Sequence, residues 1–295
     1  MAKDYSKNHI GKERPFPRAL IVEGGAMRGV FAAGVLDGFL AEGFNPFDLC
    51  LGVSAGAANL AAFLAEMPGR NLKVFTDYSL RPQFISLFRF LKGGHLMDLD
   101  WLWDITIKEV RLDLKTIMAS GKEFIICLTD VNTGRAVYKR PGMDDLEEAL
   151  KASSALPILY KGFPRIDNRA CVDGGVADPI PIRQALKMGA KKIMVIRSRP
   201  KSYFKNEKFS QKILSRQLKN YPALAQAASH RVRRYNESID LIRKPPTGVW
   251  IQEICPPENF KPGRLGKDKK VLLEGYEQGK AAAGGIIREW NSHES

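Results

Sequence analysis

Twice within the first 67 residues a short apolar run meets a glycine turn and passes straight into a helix of small residues. "RALIVEGG" (18–25) leads into "AMRGVFAAGVLDGFLAEG", and "FDLCLG" (47–52) leads, through Val53 and Ser54, into "AGAANLAAFLAEM". The first helix has apolar residues at Val30, Leu36, Phe39 and Leu40 with Gly43 as its C-terminal cap, and the second stops near Pro68. Strand–helix–strand–helix order predicts an α/β fold in which a mostly parallel sheet is covered by helices.

The rest of the chain extends this frame. Residues 74–118 are rich in aromatics and broken at Gly93-Gly94, which predicts two or three short helices beside a pocket, either a lid or an ordinary covering layer. "EFIICLTDVNTGRAVYKR" reads as a strand, a turn at Asn132-Thr133-Gly134 and a returning strand. A helix over "MDDLEEALKASSA" ends before Pro157, "RACVDGG" is a short strand entering a turn, "PIRQALKMG" a helix and "KKIMVIRSR" a buried strand. Residues 201–246 are basic and helical, "GVWIQEICPP" is a late strand, and 268–290 form a terminal helix. The expected organisation is an N-terminal arm (1–17), a main α/β domain (18–200) and a basic C-terminal extension (201–295) packed on the domain or completing it.

Charge divides the chain unevenly. Residues 1–190 carry 24 Lys+Arg against 22 Asp+Glu, whereas residues 191–295 carry 22 against 10. The basic third is either a solvated face or a surface for polyanions, of which an anionic membrane fits best. Nucleic acid is not expected, because the basic segment has neither interleaved aromatics nor a known binding fold. No apolar stretch approaches the roughly 18 residues of a membrane span, and the first twenty residues do not read as a secretory signal. Cys50, Cys127, Cys171 and Cys255 lack metal-ligand spacing and read as buried thiols in a reducing compartment. The expected location is the cytoplasm, peripheral to the inner membrane face at most.

Three glycine turns carry the candidate chemistry. In Gly52-Val53-Ser54-Ala55-Gly56 the serine is either a tight corner or a nucleophile raised clear of the sheet, next to helix N–H groups that favour negative charge. In Glu23-Gly24-Gly25-Ala26-Met27-Arg28-Gly29 the clustered N–H groups suit an oxyanion hole or a phosphate loop, although neither G-x-G-x-x-G nor a P-loop lysine is present. Arg28 either shapes that loop or is an ordinary solvated arginine. Asp173-Gly174-Gly175 is either a common turn or the base that Ser54 needs. All three turns follow strands, so in a parallel sheet they are expected on one rim.

The histidines narrow the choice of base. A Ser-Asp-His hydrolase of the α/β-hydrolase type places its histidine after the acid, which leaves His230 in a basic helix and His293 near the end. His9 lies in the arm and His95 in the aromatic segment. None has the setting of a triad member, so a Ser54–Asp173 dyad fits better. An exposed carboxylate with a pKa near about 4 is a weak base, but burial raises it toward the working range. The rivals are a Ser-Asp-His esterase using His230 and a non-catalytic lipid or nucleotide-phosphate binding module.

The three turns, in this order, resemble the patatin-like phospholipase family, with Gly24-Gly25-Ala26-Met27-Arg28-Gly29, Gly52-Val53-Ser54-Ala55-Gly56, Asp173-Gly174-Gly175, and a further match at Ala152-Ser153-Ser154-Ala155-Leu156-Pro157. The resemblance covers about residues 18–200 and looks closest to the bacterial branch. It implies a three-layer α/β/α fold and hydrolysis of lipid esters without metal or other cofactor. It further implies Ser54 as nucleophile, Asp173 as base, and an oxyanion hole in the region of Gly24, Gly25, Ala26, Arg28, Gly29 and Ala55. Gly52, Gly56, Gly174 and Gly175 are the motif glycines. One departure is Asp178-Pro179 where many relatives carry Asn-Pro, which puts the local packing there in question. No catalytic role is assigned to Ser153 or Ser154.

Overall fold

The computed structural model describes residues 16–206 and 218–293. Its strands are β1 (Arg18–Val22), β2 (Leu49–Val53), β3 (Glu123–Asp130), β4 (Ala136–Lys139), β5 (Arg165–Ile166), β6 (Arg169–Asp173), β7 (Lys192–Ile196) and β8 (Trp250–Ile254). The helices are α1 (Val30–Ala41), α2 (Ala55–Leu64), α3 (Arg70–Lys73), α4 (Leu87–Leu91), α5 (Leu99–Val110), α6 (Leu114–Ala119), α7 (Leu146–Ser154), α8 (Ile182–Lys187), α9 (Pro222–Ser229), α10 (Arg231–Arg243) and α11 (Lys269–Ser292). Most of the arm and residues 207–217 of the basic helical segment lie outside the described residues.

All eight strands form one sheet, with neighbours in the order β5-β6-β3-β2-β1-β7-β8 and β4 also on β3. The central strands β3, β2, β1, β7 and β8 are parallel. Their side chains alternate between faces, as pleating requires. Leu20 and Val22 pack with Cys50, Ile126 and Met194 beneath α1, α2, α7 and α11. Ala19 and Ile21 pack with Leu49, Ile125 and Val195 against α8 and α10. This is the expected three-layer α/β/α arrangement.

Two features position the site. First, β1 pairs with β2 on one side and β7 on the other. The chain therefore leaves β1 and β7 toward opposite halves of the sheet, and a crevice opens between their carboxyl ends. Second, β6 is antiparallel to β3, which corrects the expectation that all three glycine turns reach one rim on parallel strands. β4 pairs with β3 from Ile126 to Thr129 and so overlaps both β2, which ends opposite Cys127, and β6, which ends opposite Leu128. Each residue of β3 has only two edges, so β2 and β6 occupy successive stretches of the same edge. They meet end to end, and the turns beginning at Ser54 and Asp173 converge because their strands run head-on.

The sequence assigned α1 an apolar set on one side, yet α1 is buried around most of its circumference. The C-terminal α11 crosses its outer side closely enough that a Cβ on Gly34 would stand 2.0 Å from the Tyr276 carbonyl oxygen, and one on Gly279 would stand 2.1 Å from that of Phe31.

Candidate active site

β2 ends at Val53 and the chain turns into α2 through Ser54, whose φ of 54° and ψ of −129° are strained for a side chain with a Cβ. The turn needs its glycines. A Cβ on Gly52 would stand 2.4 Å from the Ala57 Cα, and one on Gly56 would stand 2.3 Å from the Val22 carbonyl oxygen. The Ser54 hydroxyl caps no N–H of α2, so it is available for other work. The Ser54 N–H donates to Ser153 Oγ (2.8 Å), whose hydroxyl donates to the Cys127 carbonyl (2.7 Å). Ser153 thereby ties α7, β3 and the strained turn together, a positioning part that the sequence did not disclose.

The loop after β1 lies against this serine: a Cβ on Gly24 would stand 2.7 Å from the Val53 carbonyl oxygen and 2.8 Å from Ser54 Cβ. Among the described residues the N–H groups of Gly24, Gly25, Ala26 and Ala55 make no hydrogen bond, and these residues line the cavities that Ser54 also lines. The loop is braced from behind. Glu23 accepts from the Ser198 N–H (2.8 Å), Ser198 Oγ donates to the Gly24 carbonyl (3.1 Å), and Met27 N donates to the Arg264 carbonyl (3.2 Å). Two residues placed in the oxyanion set act differently. The Arg28 N–H donates to the Gly25 carbonyl (3.2 Å), and Gly29 lets Ala55 and Phe75 pack close while its carbonyl accepts from Asn59 Nδ2 (2.8 Å). Arg28 is also not solvated; it is buried, and burial followed by repulsion from Arg199 and Arg264 lowers its pKa to about 10.

Asp173 ends β6 with 2% of its surface exposed. Its Oδ1 accepts the Gly175 N–H (2.7 Å) and its carbonyl accepts Thr129 Oγ1 (2.9 Å). Gly174 is obligatory here, because a Cβ would stand 2.1 Å from the Cys127 carbonyl oxygen. Burial raises the Asp173 pKa. Arg231, the neighbouring Ser54 hydroxyl and the Gly175 N–H act against it. Asp178, the departure noted in the sequence, accepts from Tyr138 OH (2.6 Å), and burial raises its pKa too. The tyrosine hydroxyl gives this carboxyl a local partner.

Ser54 stands where two cavities meet. One, of about 100 Å³, is mostly apolar and is lined by Phe75, Phe84, Met97, Leu99, Leu102 and Leu150, among others. Much of its wall comes from the aromatic segment 74–118, which the sequence placed beside a pocket. The other, of about 40 Å³, is the crevice at the ends of β1 and β7; it holds Gly24, Gly25, Ser54, Asp173 and Gly175 together with Arg28, Arg199, Lys205, Arg231 and Arg264. The last four went unrecognised in the sequence, where only an excess of basic residues signalled them.

His230 lines neither cavity. It caps the junction of α9 and α10. His95 stacks on Tyr160 and accepts from the Lys161 N–H, and His293 packs on Trp250. His9 lies outside the described residues.

The patatin-like phospholipase family model matches residues 20–186, a span that runs from β1 through the elbow to beyond Asp173, and a domain of unknown function (DUF6363) matches 221–294. The chain is 36% identical over 275 residues to the uncharacterized protein YjjU of Escherichia coli K12, covering 90% of this chain and 77% of that one. It is 29% identical over 209 residues to the "Probable lipid hydrolase 463L" of Invertebrate iridescent virus 6, covering 59% and 65% of the two chains. The solved structure of VipD from Legionella pneumophila matches with a TM-score of 0.45 and 12% identity over 94% of this chain and 67% of that one, too distant to bear on the fold. β1, the Ser54 turn and Asp173 thus all fall inside one family's span, and by that span this chain belongs to the patatin-like phospholipase family.

Proposed function

We propose that the protein is a serine acyl-hydrolase that cleaves carboxylic ester bonds of lipids through a Ser54–Asp173 dyad. The observation that carries this reading is the position of Ser54: a strained turn raises it at the junction of an apolar cavity and a crevice holding a buried carboxylate. The acyl chain occupies the apolar cavity. Asp173 takes the hydroxyl proton as Ser54 Oγ bonds to the ester carbonyl carbon. The resulting oxyanion is held by the N–H groups of Gly24, Gly25 and Ala26, with Ala55 as a further donor. The carbon–oxygen bond to the alcohol then breaks, and the proton passes from Asp173 to the leaving alkoxide. Water repeats the sequence on the acyl-enzyme and releases the fatty acid. An aspartate is a weaker base than imidazole, so burial that raises its pKa and a preformed oxyanion hole carry much of the catalysis.

The substrate reaches the site from a lipid surface. Helix α4 exposes Leu87 (64%), Phe88 (69%) and Leu91 (77%), on an excursion closed at its base where Ile85 pairs with Met97. Phe84 and Met97 at that base line the apolar cavity. Lys92 lies 4.2 Å from the Phe88 ring centroid and Lys161 5.7 Å from that of Phe90. An apolar tip ringed by cations suits an anionic interface, and the basic surface of residues 191–295 adds to the attraction.

A fluorophosphonate probe tests the reading. Covalent labelling is expected in the native chain and absent in Ser54→Ala. Labelling that persists in Ser54→Ala puts the nucleophile elsewhere, and no labelling of the native chain favours a binding module.

A further inference from the structure

The crevice beside Ser54 carries more positive charge than the dyad requires. Five basic side chains converge on it from four segments: the arginines Arg28 after β1, Arg199 after β7, Arg231 on α10 and Arg264 after β8, with Lys205 beside Arg199. Among the described residues two carboxylates line it, Glu23 and Asp173, and each is already engaged by a backbone N–H. Among the described residues none of these five side chains is in an ion pair, and only Arg231 makes a side-chain hydrogen bond, to the Gly175 carbonyl. Arg28 is 5% exposed and its Nε has no partner. Burial and the neighbouring Arg231 and Arg264 pull the Lys205 pKa down to about 6.

This is a built site rather than a set of stray surface charges. Arg197, fully buried, donates to Tyr235 OH (2.9 Å) and to the Tyr203 carbonyl (3.2 Å). Asn236 makes two hydrogen bonds of 2.9 Å with the backbone of Lys205. The loop bearing Arg199 and Lys205 is therefore pinned at both residues 203 and 205. Like charges held together away from water are unfavourable unless an anion joins them. Arginines in such a cluster match a phosphate through paired donors.

The two cavities share Ala26, Ser54 and Leu156. An ester held at Ser54 with its acyl chain in the apolar cavity directs its alcohol into the cations. We infer that this crevice binds the phosphate of the leaving alcohol, so that the substrate class is glycerophospholipids of net negative headgroup. The inference rests on the hydrolase reading of Ser54 and names the substrate for it. A choline headgroup brings a fixed cation against like charge and is rejected.

The test compares soluble dihexanoyl phosphatidylglycerol with dihexanoyl phosphatidylcholine, which have the same acyl chains, on the full chain and on Lys205→Met and Arg264→Gln. Among the described residues neither side chain makes a hydrogen bond, so neither substitution orphans a hydrogen-bond partner. The native kcat/KM ratio is expected to favour phosphatidylglycerol by about tenfold or more, and either substitution to bring it toward unity. Equal turnover of both lipids by the native chain overturns the headgroup assignment and leaves the hydrolase reading standing. If neither lipid is cleaved, the hydrolase reading fails, and calorimetric binding of sn-glycerol 3-phosphate to Ser54→Ala decides the crevice. Binding weakened about tenfold by either substitution supports it; no binding, or binding indifferent to both, overturns it. Binding of inorganic phosphate without any headgroup preference in turnover overturns the lipid source of the anion.

Discussion

At Asp173 the same burial acts on chemistry and on stability. Its folded-state pKa is raised, so the folded chain holds that proton more tightly than the unfolded chain. The stabilisation from this group is therefore complete below the ordinary carboxylate range, and it is lost as pH rises through the raised folded value. Above that value the buried charge is a liability to the fold. Asp173→Asn still accepts the Gly175 N–H, and denaturant titration at neutral pH is expected to show a gain on the order of 1 kcal/mol. Ester turnover by the same variant is expected to fall by about 10²- to 10⁴-fold. In the native enzyme the acid limb of the pH–rate profile should lie above the usual carboxylate range, because activity requires the ionised form. A variant that is less stable and equally active contradicts this assignment.

Among the elements, α1 and α11 show how the C-terminal region joins the sheet. Their glycines allow backbone to pass backbone, so Gly279→Ala, which drives a Cβ toward the Phe31 carbonyl, is expected to destabilise by about 1–3 kcal/mol in urea unfolding. An unchanged midpoint contradicts so close a crossing. Helix α4 is the opposite case, an element whose apolar residues face outward. Replacing Leu87, Phe88 and Leu91 together with serine touches no buried contact. It should weaken binding to anionic vesicles and hydrolysis of lipid within them by about tenfold or more, since each large apolar side chain contributes about 1.5–3 kcal/mol when fully buried. Turnover of a short-chain soluble ester measures whether the effect is interfacial. Equal loss on both substrates assigns α4 a role in the fold instead.

Across the whole molecule, much of the frame was legible because strand–turn–helix order and short continuous apolar runs are local signals. The elbow glycines were legible for the same reason, since sterics leave no other residue at 52 or 56. The route by which Asp173 reaches Ser54 was not, because the head-on meeting of β2 and β6 depends on both pairing with β3, across 74 residues of chain for β2 and 41 to 45 for β6. Nor were Ser153 and the cations of the crevice. Ser153 sits at a helix end that looks ordinary, and Arg199, Lys205, Arg231 and Arg264 look solvated until β7, β8 and α10 turn them inward. The basic balance of the last third is thus partly internal, directed at the site rather than at the outer surface. In the proposed mechanism, what joins these parts is an ester carbon bonded to Ser54 Oγ. The most direct test is rapid acid quenching of the enzyme during turnover of a long-chain ester, followed by peptide mass mapping. The predicted result is an acyl adduct on the peptide bearing Ser54, absent in Ser54→Ala; an adduct on another residue, or turnover with no adduct at any time point, contradicts it.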